Sequence, residues 1–135
     1  MATGFTSLMA GRILDSRIKN SYVALSTTTP DQDGNNFTEP DPYNGYQRQQ
    51  ITNLDNTIPA QIANDRIVFL FEAVGNIGTV THLGLSKNST VGSSVFLMAQ
   101  LTSPLTVASG YVPLIRPYGL VIGLDKSSLA TYPRE

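Results

Sequence analysis

The side chains able to do acid–base or nucleophilic chemistry are few in this sequence. His82 is the only histidine, and there is no cysteine. A catalytic histidine needs a nucleophile or a carboxylate within hydrogen-bond reach, and no serine stands in a G-x-S-x-G elbow. His82 falls in an alternating stretch, on the same face as Val80 and Gly84 and opposite Leu83 and Leu85. It is expected to be a structural residue that bonds across a sheet. A lone histidine without thiolates also excludes a histidine-based zinc site, which needs several N/S ligands.

Oxygen chemistry has little more to work with. Asp31-Gln32-Asp33-Gly34-Asn35 resembles a calcium loop on the surface, but an EF-hand places its glycine sixth and a bidentate glutamate twelfth. Here Gly34 is fourth, the nearest acids are Glu39 and Asp41, and no flanking helix is expected, so an exposed turn is the reading. A looser cation site in the 31–41 loop is the alternative. Glu39, Asp41, Asp55 and Glu72 are the candidates for paired carboxylates, and no spacing holds two of them at the ~5–9 Å of glycoside hydrolysis. Glu72 lies in the most apolar stretch, where an unpaired carboxylate is costly; Arg66 or Arg48 is its expected partner. Tyr43, Tyr46, Tyr111, Tyr118 and Tyr132 supply rigid, amphipathic contact area suited to a glycan or a protein, although Tyr46 and Tyr111 would also pack at strand ends. The expectation is a non-enzyme with no catalytic residue, no cofactor and no metal.

The elements that must position these residues are mostly strands. A chain of 135 residues makes one domain with a real core. A net charge of -1 supplies no basic field for nucleic acid. No run approaches the ~20 apolar residues of a membrane helix. The start is a poor signal peptide, because Arg12, Asp15 and Arg17 interrupt its short apolar portion. Helical periodicity is confined to residues 5–18, where Phe5, Leu8, Met9 and Ile13 form a stripe with Leu14 and Ile18 beside it. Asn20 is placed to end that helix. Strands are expected at 22–25, 46–51, 66–74, 79–85, 95–101, 106–112 and 120–124, with a long polar loop over 27–44. RIVFLFEAV (66–74) is almost continuously apolar, so both of its faces should be covered. The pattern predicts a mainly β fold, an antiparallel sandwich or barrel of jelly-roll or Ig-like type preceded by an amphipathic helix.

Four phrases add a resemblance: TEPDPYNGYQRQQI (38–51), IGTVTHLGLS (77–86), AQLTSPLTV (99–107) and GLVIGLD (119–125). With the YVALS strand (22–26), their order over residues 5–126 resembles a family of small bacteriophage tail-fibre or minor tail proteins. In that family a strand of this type precedes an acidic, Gly-rich loop with a GGGYxR-like phrase. An xGTVTHxGI strand, an xALTxPxTV turn and an LxIxLD strand come next. This chain departs from the pattern at Pro42, Tyr43, Asn44 and Gly45, where three glycines are usual.

The resemblance implies a virion structural protein, made in the host bacterial cytoplasm and most simply a tail-fibre or baseplate-associated subunit. Its implied partners are copies of itself and other virion proteins, with no nucleic acid and no membrane. A capsid decoration or head-fibre protein is the near alternative. A receptor module for a host-surface glycan is the other, and should show aromatics clustered on one loop-lined face. A helical segment (1–20), a β-sandwich domain (21–125) and a C-terminal tail or arm (126–135) are the expected divisions. The expected interface residues are Phe5, Leu8, Met9, Ile13, Tyr43, Tyr46 and Tyr132. A closed oligomer, a trimer before a dimer, is expected, with the helix stripe buried mainly against a neighbour.

Overall fold

A computed structural model of the protein describes residues 7–55 and 61–123. Its frame is set by two strands, β1 (Tyr22–Ser26) and β6 (Gly78–Ser86), paired antiparallel with Val23 opposite Leu85 and Leu25 opposite Leu83. Because strand residues alternate in facing, these four large side chains share the core side. The centre of the other side is small, with Ala24 opposite Gly84 between the pairs Tyr22–Ser86 and Ser26–His82. That leaves room for loops to lie close against it.

The remaining strands are β2 (Gln49–Gln50), β3 (Leu54–Asp55), β4 (Gln61–Asn64), β5 (Val68–Phe69), β7 (Leu97–Val107), β8 (Leu114–Ile115) and β9 (Val121–Gly123). They form a four-stranded sheet in the order β2-β1-β6-β7, a three-stranded sheet β3-β4-β9 and a two-stranded sheet β5-β8. Every pairing is antiparallel. The hydrophobic core draws on all three sheets, with Val23, Leu85 and Val80 from the first, Ile62 from the second and Val68 from the third. The fold is mainly β and antiparallel with one helix among the described residues, as the periodicity predicts.

The helix α1 spans Ser7–Ile18. Asn20 ends it in the left-handed conformation at φ 61, a backbone region asparagine tolerates better than most residues. Lys87 Nζ then donates to the carbonyl of Lys19 at 2.8 Å. Leu14 and Ile18 are 4% and 2% exposed and belong to the domain's own core, with α1 packed on β4. At least this part of the stripe therefore serves its own domain, against the expectation of burial on a neighbour. Phe5 and Tyr132 lie outside the described residues, as do the side chains of Leu8, Met9 and Ile13 and the segment 126–135.

Three strand expectations change. Within 66–74, ladder pairing is limited to Val68 and Phe69. Leu70, Phe71 and Ala73 are buried, but Ile67, Phe69 and Val74 are 47%, 58% and 67% exposed, so the run is not covered throughout. The phrase around Pro104 is not a turn joining two strands but the middle of the long edge strand β7, where a missing N–H leaves no interior ladder incomplete. There Val80 pairs Leu105 and His82 pairs Gln100, so residues 101–104 bulge opposite Thr81. The stretch expected at 106–112 divides between the end of β7 and a turn before β8.

Candidate functional site

The long loop from β1 to β2 is held by one polar cluster. Arg48 donates through all its guanidinium N–H groups: Nε to Glu39 Oε1 at 2.8 Å, Nη2 to Glu39 Oε2 at 3.0 Å and Ser93 O at 2.6 Å, and Nη1 to Asn88 O at 2.9 Å and Ser93 Oγ at 2.7 Å. Glu39 also accepts from the Tyr46 hydroxyl at 2.6 Å and from the Gly92 N–H at 2.6 Å. The Tyr46 oxygen accepts the Leu25 N–H at 3.0 Å. This last bond supplies β1 with an acceptor just beyond the end of its short neighbour β2. The ion pair is enclosed, with its side chains 0% and 5% exposed.

Burial pushes the Glu39 carboxyl up, but hydrogen bonds from Arg48, Tyr46 and the Gly92 N–H outweigh it and hold the group below its usual range. Burial and the bond to Glu39 drive the Tyr46 phenol well above its ordinary value. The Tyr46 ring meets Phe71 edge to face at a centroid distance of 5.3 Å. Each hydrogen-bonding group of the cluster is engaged internally, which suits a clasp between the 27–48 and 87–96 loops better than a reaction centre. Phe37 and Val95 from these loops close over Gly84, where an added Cβ would stand 2.9 Å and 3.1 Å from them.

The outer surface is of a different kind. Asp41 Oδ1 accepts the Tyr43 N–H at 2.9 Å and caps a short 3-10 turn over Pro42–Asn44 that ends at Gly45 with φ 94. The turn lies so close to the 72–74 backbone that a Cβ at Gly45 would come within 3.1 Å of Val74 N and nearer still to Glu72 O. The Val74 N–H bonds Asn44 O, and the Ala73 N–H bonds Tyr111 O on the opposite flank. Tyr43 is left 93% exposed and Tyr111 60%. Tyr118, 49% exposed, donates to Asp55 Oδ2 at 2.7 Å, which raises its phenol.

The expected site residues are thus separated. Tyr43 stands at the surface, whereas Tyr46 is 3% exposed and its hydroxyl is consumed by the clasp, which withdraws it from any outer contact. His82 is buried and bonds Thr81 Oγ1 at 2.8 Å, its neighbour in β6 rather than a group across the sheet. Glu72 is exposed, and Arg48 pairs with Glu39 instead. Asp31 Oδ1 accepts the N–H groups of Asn35 and Asp33, each at 2.9 Å, so the acidic loop closes on its own backbone. The Asn35 N–H is the leading cause that holds the Asp31 carboxyl below its usual range.

The family model described as Podophage GP4 fiber I protein gp80 matches residues 15–123. The chain belongs to this phage fibre family. The match runs from the last turn of α1 to the end of β9 and takes in both the clasp and the exposed tyrosines described above. Comparison with curated proteins gives no match. Membership in the gp80 fibre family makes the chain a structural component of a bacteriophage virion. Sequence reasoning missed the Glu39–Arg48 pair because the two stand on a non-periodic loop. Their nearness in the TEPDPYNGYQR phrase was the available signal.

Proposed function

We propose that this chain is a tail-fibre or baseplate-associated subunit, made in the host cytoplasm, that acts by protein–protein assembly with copies of itself and other virion proteins. The observation that carries this reading is the contrast between its two kinds of site. The converging polar groups are sealed inside the clasp, while Phe69, Val74 and Tyr111 lie outside at 58%, 67% and 60% exposure. Surface of that kind favours association over chemistry. Labelled protein imaged on intact particles tests the assignment: signal on the tail is expected, and signal over the capsid would replace it with the decoration or head-fibre reading.

A glycan-binding role is supported by a narrower observation. Tyr43 and Tyr111 flank the same backbone segment, 73–74, beside the polar side chains of Asn44 and Asn76. Tyr43→Ala should then abolish binding to host-derived polysaccharide without changing the melting temperature. Unchanged binding removes this reading.

A further inference from the structure

The open side of the β5-β8 sheet has the area and the charge placement of a contact between two copies of this chain. Phe69 and its cross-strand partner Leu114 are 58% and 42% exposed. Ile67, Val112, Val74 and Tyr111 continue the ribbon at 47%, 43%, 67% and 60% exposure. With ~150–250 Å² for each of the two whole aromatic side chains and less for each of the four aliphatic ones, all about half exposed, these six expose roughly 500 Å². That lies near the top of the ~300–600 Å² typical of a monomer's largest apolar patch. It is also a large part of the roughly 800 Å² that one partner gives to a standard interface.

The charges around the ribbon say which way a partner would lie. Arg66 and Glu72 stand at equal sequence distance on either side of Phe69, and both are exposed. Among the described residues neither has an ion-pair partner, the one salt bridge being Arg48–Glu39. A copy of this strand docked antiparallel about Phe69 sets opposite charges together at both ends. A parallel copy sets like against like. The other long candidate surface, β7, is an edge interrupted by Pro104 and the bulge at 101–104, features that discourage strand addition.

We infer that the chain forms a two-fold dimer through this ribbon, with Phe69 beside the axis and Arg66 paired with Glu72 of the partner subunit at both ends. This inference rests on the self-assembly part of the proposed function and specifies its surface. The test is sedimentation of the full chain and its variants across micromolar concentrations, with thermal melting of the same samples. The unaltered chain should be a dimer. Arg66→Glu alone and Glu72→Arg alone should each weaken dimerisation by about tenfold or more, because each places like charges together twice. An equimolar mixture of the two single variants should dimerise again, since every cross-copy contact is then attractive, and so should the double exchange. Phe69→Asp should be a monomer that still melts in one cooperative transition, at a temperature that no longer depends on protein concentration.

A monomeric parent chain, single variants that dimerise as tightly as the parent, or a mixture that stays monomeric would each overturn the inference. Salt offers a check that needs no variant: tight dimerisation unchanged between low and high salt argues against the paired charges. Imaging on particles reads the fibre assignment separately. A chain seen on the tail but monomeric in solution defeats the dimer and leaves that assignment standing.

Discussion

Arg48 shows how much one side chain can organise when its whole donor set is matched. It grips the Glu39 carboxylate with two nitrogens and reaches Asn88 and Ser93 with the rest of its N–H groups. Removing it strands a carboxylate whose side chain is 5% exposed. Arg48→Ala should therefore lower unfolding stability by about 3–5 kcal/mol, read from urea denaturation. Arg48→Lys should recover little, because an ammonium is a point charge with fewer donors and no planar fork. Tyr46→Phe should cost about 1–3 kcal/mol, since it leaves the Leu25 N–H without its acceptor. The pH dependence has a definite sign. The folded Glu39 carboxyl titrates below its unfolded value of 4.5, so its stabilising share is present above that pH and is lost as pH falls through the folded value. Melting in an acid series should show this loss in the parent chain and a flatter acid limb in Glu39→Gln.

At the scale of elements, the main sheet has one face of large apolar side chains and a small centre on the other. Val23, Leu25, Leu83 and Leu85 fill the core, while Ala24 and Gly84 let Phe37 and Val95 approach from the loops. Gly84→Val should push these loops outward and destabilise by about 1–3 kcal/mol, with the overpacking seen as faster hydrogen exchange at the 87–96 loop. Gly84→Ala should be milder, since the Phe37 ring edge and a valine methyl can give way. The helix belongs to the same accounting. Leu14→Ala or Ile18→Ala should each cost about 2–5 kcal/mol in thermal or urea unfolding, because both side chains lie in the core with β4 beneath them. A loss of assembly with unchanged melting would instead return this end of the stripe to an intersubunit role.

For the whole molecule, stability comes from a shared core and the loop clasp, and no group of metal-binding side chains is gathered among the described residues. The acidic turn at Asp31 spends one carboxylate oxygen on the N–H groups of Asp33 and Asn35. Chelation with EDTA should leave the melting temperature of the full chain unchanged. A drop of several degrees that calcium restores would show the 31–41 loop acting as a cation site.

Periodicity and turn chemistry were enough to place α1 near residues 5–18, its end at Asn20, and the β1 and β6 strands, because those signals are local. The ordered phrases likewise carried the fibre family, which depends on residues in series and not on contacts. The Arg48–Glu39 clasp was beyond such reasoning: it joins Arg48 to Asn88 and Ser93, 40 and 45 positions away, and no period marks a loop residue for burial. The exposure of Phe69 was equally hidden, since an apolar run reads the same whether one or both of its faces are covered. Tyr43 and Tyr46 make the point within a single phrase. Identical residues on one short stretch end at 93% and 3% exposure, because the Gly45 turn holds one over the Glu72–Val74 backbone while Glu39 and the Leu25 N–H draw the other inside.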